Sequence, residues 1–181
     1  RPSLNSVLES SPLLQPLSAA DRELLAGFSI LSQVRKGDTI WTTGAQVDFF
    51  ALVGKGFVKM VRTGSRGHEL THEIMGPGQI LGLLGTVDGT GCPLEARAVS
   101  AVWYLRIPKA QFIPIYERTP VLKDHMIKRT TVRLRKAQEM LNRMSNRSVE
   151  SRISAILMML AESYGEPYGE AIRIMVPLTR Q

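Results

Sequence analysis

The stretch TPVLKDHMIKRTTVRLRKAQEMLNRMS, Thr119 to Ser145, decides how the chain is organised. Apolar or small residues recur at Ile127, Thr130, Leu134, Ala137, Leu141 and Met144. Their spacing alternates between three and four residues, which is a heptad seam rather than a broad amphipathic face. Thr119-Pro120 supplies a cap and a proline for the first turn, so the helix has a defined start. At about 1.5 Å per residue the segment is a rod of roughly 40 Å. A rod of that length either pairs with another chain or lies along its own domain.

The rod is also basic. Between Lys123 and Arg152 there are nine cations (Lys123, Lys128, Arg129, Arg133, Arg135, Lys136, Arg143, Arg147 and Arg152) against the three acids Asp124, Glu139 and Glu150. The whole chain has a net charge of +7 over 181 residues. Such a face suits the neighbourhood of phosphate backbones, or is simply a solvated helix surface.

Working upstream, the character changes. Twelve of the fifteen glycines fall between Gly37 and Gly91. Between them lie short β-rich runs: Ser29–Arg35, Thr39–Thr43, Phe49–Val53, Phe57–Arg62, His68–Ile74, Ala96–Ser100 and Val102–Ile107. Short strands at this spacing, with no helical pattern between them, predict an antiparallel sandwich or barrel. Gly64-Ser-Arg-Gly67 reads as a hairpin turn between two of them. Ahead of the barrel, Ser18-Ala-Ala-Asp21 is a capping signal for a short helix ending near Gly27. Downstream, Asn146–Ser148 interrupts the rod, and Val149, Ile153, Ile156, Leu157 and Leu160 form a new apolar face closed by Gly165. Ile172–Val176 resembles a short strand, and Pro177–Gln181, with Thr179 as cap, resembles the entry to another helix.

The single cysteine, Cys92, rules out an internal disulfide, and no signal-like or membrane-length apolar run is present. A reducing cytoplasm with no membrane partner is the expected setting. Because the chain opens on Arg1 and stops at Gln181, part of a longer protein is expected.

Three stretches, taken in order, resemble the CRP/FNR superfamily of bacterial transcription regulators. Gly54-Lys-Gly-Phe57-Val58-Lys59 followed by Gly76-Pro-Gly-Gln-Ile80 is similar to the family's barrel core, and Thr119-Pro120 with the heptad helix to its dimerisation helix. Ser148-Val-Glu-Ser-Arg152-Ile153 and Arg173–Gln181 are similar to the approach to its helix-turn-helix. The resemblance implies an α+β fold: a cyclic-nucleotide-binding-like antiparallel β-barrel (a double-stranded β-helix or jelly roll), a long dimerisation helix, and the start of a winged-helix domain. The corresponding segments are 1–118, 119–147 and 148–181. It implies a homodimer joined at Ile127, Thr130, Leu134, Ala137, Leu141 and Met144. Other implied partners are double-stranded DNA through the missing carboxy-terminal domain, RNA polymerase, and a small-molecule effector. The recognition helix lies beyond these residues, and neither the target DNA nor the choice of activation or repression is legible.

The effector position departs from the family pattern. Members that bind cyclic nucleotide use an acidic side chain for the ribose and an Arg-Ser pair for the cyclic phosphate. Here those positions hold Leu83 and Cys92-Pro93, and the helix pair that meets the purine corresponds to Ala137-Gln138. Arg133 alone matches a helix arginine near the family's ligand. An unpaired phosphate in an apolar pocket costs several kcal/mol, so cyclic AMP is not expected in the usual manner. One cysteine cannot hold an iron–sulfur cluster. Haem would need an axial ligand, which Leu83-Leu84 do not offer; His125 or Met126 could serve, unless His125 is an ordinary helix-surface histidine. Cys92 is either an oxidant-sensing thiol or a small loop residue. The pocket implied by family position is lined by Leu81, Leu83, Leu84, Cys92, Pro93, Arg133, Leu134, Ala137 and Gln138, suiting an apolar or planar ligand or none.

Two rival classes are less well supported. A cupin-type metalloenzyme needs convergent ligands, but His68 and His72, four apart on one strand, lie about 13 Å from each other with Glu69 and Glu73 on the opposite face. No catalytic triad, phosphate loop or carboxylate pair stands out, and no metal site is expected. A nucleotide-sensing module of a kinase or channel would not need the heptad seam.

Overall fold

The structure is a computed structural model that describes the chain apart from residues 65–66, 84, 86–88, 146–147 and 178–181, and apart from the side chains of 140 and 143–145. Leu84, the cap at Thr179, and the Met144 end of the seam therefore lie outside the described residues. The chain divides into two compact units, Arg1–Lys123 and Asp124–Gln181.

The first unit opens with α1 (Leu4–Glu9) and α2 (Ala19–Phe28). The capping signal at Ser18 works as the sequence suggests: its hydroxyl accepts from the Asp21 N–H at 3.0 Å. Eight strands follow: β1 (Ile30–Val34), β2 (Thr39–Trp41), β3 (Phe49–Lys55), β4 (Val58–Thr63), β5 (Glu69–Met75), β6 (Ile80–Leu81), β7 (Glu95–Ala98) and β8 (Val102–Pro108). They form two four-stranded antiparallel sheets, ordered β1-β8-β3-β6 and β2-β7-β4-β5. Strands that alternate between two facing sheets make the jelly roll that the short β-rich runs foretold.

Burial follows the period of two. On β3, Phe49, Ala51 and Val53 face between the sheets, where they meet Trp41, Val58, Met60, Met75, Leu81, Cys92, Ala96, Ala98, Val102 and Tyr104. Phe50, Leu52, Leu105 and Ile107 point the other way and are fully buried. The amino-terminal helices and α3 (Lys109–Arg118) cover that second face. Phe112 of α3 meets Phe50 edge-on at 4.7 Å. The centre of this sheet is thus buried on both faces.

The other sheet carries an ion network across its four strands. Glu69 on β5 pairs with Lys59 on β4 and Arg97 on β7. Arg97 also donates to Glu95 at 2.7 Å, and Glu95 accepts from Thr39 of β2 at 3.1 Å. The Lys59 hydrogen bond, supported by the charges of Lys59 and Arg97, holds the Glu69 carboxyl below its ordinary value against the opposing effect of burial.

A bulge corrects the expectation for the barrel histidines. Met60 pairs with Glu73 and the next residue, Val61, with Thr71, leaving His72 as the extra residue of β5. The alternation is broken there, so Glu69 and Glu73 do not share a face. His68 precedes the strand rather than lying within it. Among the described residues no three His, Cys, Asp or Glu side chains converge as metal ligands.

Thr119 alone separates α3 from the long helix α4 (Pro120–Ser145). Its carbonyl accepts from the N–H groups of Leu122 and Lys123 at 3.1 and 3.3 Å, so Pro120 takes the helix position where a missing N–H costs nothing. The second unit holds the rest of α4, then α5 (Val149–Tyr164), capped by Ser148, and the hairpin β9 (Gly165–Tyr168) and β10 (Ala171–Ile174). Helix α5 packs on the hairpin through a core that buries Ala155, Leu160 and Val176. Among the described residues no helix is long and apolar enough to cross a membrane.

Candidate functional site

The sites named from the sequence fall into both units. In the first, Leu81 and Cys92 are each 2% exposed and belong to one core between the sheets. Leu83 is half-buried and Pro93 is exposed. In the second, Arg133, Leu134, Ala137 and Gln138 are all exposed on α4. Along the seam, Ile127, Leu134 and Leu141 are 63%, 58% and 69% exposed, and Thr130 and Ala137 are exposed with them. His125 is half-buried and Met126 is buried.

The loop from β6 to β7 is closed on itself. A Cβ on Gly85 would sit 2.5 Å from the Gly91 carbonyl oxygen, so only glycine allows this approach. Cys92 fastens the loop's far end: its N–H donates to Ala45 O at 3.0 Å and its carbonyl accepts from Gly44 at 2.7 Å. The Lys109 ammonium donates to Gly85 O at 3.1 Å. Burial pushes the Cys92 thiol up, with the charge of Lys109 acting in the opposite direction. A buried thiol held protonated is a poor nucleophile, which favours the small loop residue over the oxidant sensor.

The sequence reading missed a polar group on the inner face. Val102, Tyr104 and Arg106 alternate on β8, and the first two lie in the core between the sheets. Arg106 pairs in register with Ala51 of β3 and Ile30 of β1, and Ala51 pairs with Leu81 of β6. One row across the inner face therefore reads Ile30, Arg106, Ala51, Leu81. The Arg106 guanidinium lies 4.2 Å from the centre of the Phe49 ring, a cation–π contact. Phe49 meets Trp41 edge-on at 5.9 Å, and the Trp41 ring packs against Gly82 at the start of the β6–β7 loop. Burial raises the Tyr104 phenol, opposed by the charge of Arg106 and a hydrogen bond from Ser32. The signal was present: period two along Val102–Ile107 already puts Arg106 on the side of Val102 and Tyr104.

Two facing antiparallel sheets, a β6–β7 connection pinched between Gly85 and Gly91, and a long helix that follows them define a jelly-roll barrel with a helical extension. Residues 31–119 match the family model described as the cyclic nucleotide-binding domain. The chain is 25% identical to the global nitrogen regulator of Synechocystis over 171 residues, covering 92% of this chain and 76% of that protein. It is 24% identical to the cyclic AMP receptor protein of Thermus thermophilus over 159 residues, covering 87% and 74%. The crystal structure of the sensor domain of the transcriptional regulator DNR from Pseudomonas aeruginosa superposes with a TM-score of 0.65 at 20% identity, covering 79% of this chain and 94% of that one. The chain thus carries a cyclic nucleotide-binding domain and is similar over most of its length to CRP-like and global nitrogen regulators.

Proposed function

We propose that the chain is the sensing and dimerisation part of a CRP/FNR-type regulator whose barrel does not take cyclic AMP in the usual way. Its DNA contacts, in this reading, belong to a carboxy-terminal helix-turn-helix beyond Gln181, and its dimer forms along the α4 seam. The observation that supports this most is the chemistry of the β6–β7 loop. The positions matching the family's ribose-binding acid and phosphate-binding Arg-Ser pair hold half-buried Leu83, buried Cys92 and exposed Pro93. None of these can pair with a cyclic phosphate, and proline has no N–H to donate. The exposed leucines and isoleucine of the seam support the dimer, because large apolar side chains at heptad spacing are covered in a stable assembly.

Relatives named as a global nitrogen regulator and a CRP-like global transcriptional regulator support a sensing rather than an enzymatic role. Calorimetric titration with cyclic AMP tests the reading. The expected result is no binding heat at micromolar concentrations. A Kd of 1 µM, about −8.2 kcal/mol, would mean that other groups hold the phosphate and that the reading is wrong.

A further inference from the structure

We propose that Arg106 is the anchor of an oxyanion site on the inner face of the barrel, built for a small ligand carrying a carboxylate or phosphate on an apolar or planar body. This rests on the sensing role proposed above and names the class of ligand the site takes. Three observations carry it.

The first is that Arg106 is a cation without a carboxylate. Among the described residues it forms no ion pair, although the other sheet satisfies Lys59 and Arg97 fully with Glu69 and Glu95. Its ring contact is with Phe49, 4.2 Å from the guanidinium carbon, and a guanidinium has the fork of parallel N–H donors that matches a carboxylate or phosphate. The second is accessibility. Along the inner face of β8, Val102 is 0% and Tyr104 6% exposed, while Arg106 is half-buried and its register partner Ile30 is 60% exposed. The inner face thus opens to solvent at the Arg106 end.

The third is the surroundings. Tyr104, bonded by Ser32, lies one step deeper on the same face and offers a phenol beside the cation. Leu81 and Ala51 line the same row as Arg106, and the Phe49–Trp41 shelf leads from it to Gly82. Lys109, at the same end of β8, adds a second cation, bonded only to the Gly85 carbonyl among the described residues. Two cations and a phenol beside an apolar shelf complement an organic anion. A cation half removed from water is stabilised most by an opposite charge in bidentate geometry.

The test uses the 181-residue chain labelled with 15N and three probes: benzoate, its neutral isostere benzamide, and inorganic phosphate. Benzoate should shift the Arg106 side-chain N–H resonance together with the amides of Phe49, Ala51, Leu81 and Tyr104. Benzamide should bind at least tenfold more weakly. Arg106→Gln should lower the affinity for benzoate at least tenfold with an unchanged thermal transition. Should Arg106→Gln fail to fold, Arg106→Lys, which keeps the charge but loses the fork, should weaken binding severalfold. Phosphate that shifts the Arg106 resonance more tightly than benzoate supports the same site with phosphate as the source of the anion. Equal binding of benzoate and benzamide, benzoate binding that survives Arg106→Gln, or no shift at Arg106 with any probe overturns the proposal. Cyclic AMP serves as the separating arm. Binding of cyclic AMP unaffected by Arg106→Gln counts against the function proposed above alone, and silence from all three probes with no cyclic AMP binding counts against the anion site alone.

Discussion

Glu69 and Arg106 show opposite ways of placing a charge on a β-sheet. Glu69 faces outward and is held by Lys59 and Arg97. Its lowered pKa fixes the sign of a pH effect. Because the folded state favours the carboxylate, the network stabilises the protein fully above the ordinary glutamate range, and the contribution fades as pH falls through the lower folded value. Glu69→Gln should therefore be less stable than the parent in urea at neutral pH, with the gap closing as the pH drops below about 4.5. A gap independent of pH would show that the network adds nothing through its charge. Arg106, by contrast, faces inward with no acid beside it. Of the lining residues expected from the sequence, Leu81 and Cys92 lie in the core between the sheets, and Arg106 was not among those expected. Strand β8 carries none of the stretches that resemble the family, yet its alternation puts a cation on the side of Val102 and Tyr104.

Elements differ in how clearly they announce themselves. The seven β-rich runs fall on seven strands because β-branched and aromatic residues fill them and turn glycines separate those ahead of Gly91. Strand β6 was missed because it has two residues and its identity comes from pairing with β3, not from local pattern. Strand β9 contains Pro167, which a sequence reading counts against a strand, yet an edge position in a two-stranded ribbon tolerates it. Helix α3 hides behind Pro114, and tertiary burial of Phe112 and Ile115 outweighs that breaker. Helix α1 has six residues, too few for a periodic signal, and is fixed by Val7 and Leu8 in the core. Helix α4 was the plainest of all, through its cap, proline and heptads. Leu134→Lys, at the centre of its seam, should convert the dimer proposed above to monomer in sedimentation velocity at micromolar concentration. The monomer should keep its helical signal, since Leu134 is 58% exposed within the chain. An unchanged dimer would refute the seam.

At the scale of the molecule, the first unit has a core of its own. Its buried residues run from Val7 to Leu122, its two sheets close over one core, and the Asp21–Arg118 ion pair ties α2 to α3. A chain ending at Lys123 should consequently keep a cooperative thermal transition and a β-rich circular dichroism spectrum. A broad, non-cooperative melt would show that the barrel needs residues beyond 123. The order of helix, barrel, long helix and second helix could be read from local signals: caps, turn glycines, β-rich runs and heptad spacing. The pairing order of the two sheets could not, because it is set by contacts between strands far apart in sequence.

The glycine-closed loop has a consequence for how such a protein changes over generations. Its ends meet at Gly85 and Gly91 and are fastened by Cys92 and Lys109. Closure thus depends on the letters at the neck and not on how many lie beyond it. Doubling a loop costs only about 0.6 kcal/mol in closure entropy. Five added glycine and serine residues between Gly89 and Thr90 should lower stability by about that amount in urea denaturation, and a loss of several kcal/mol would show that the neck is not self-contained. A lineage could then lengthen, shorten or rewrite this segment, trying new specificities, while the scaffold beneath it stays under a separate and much stricter selection.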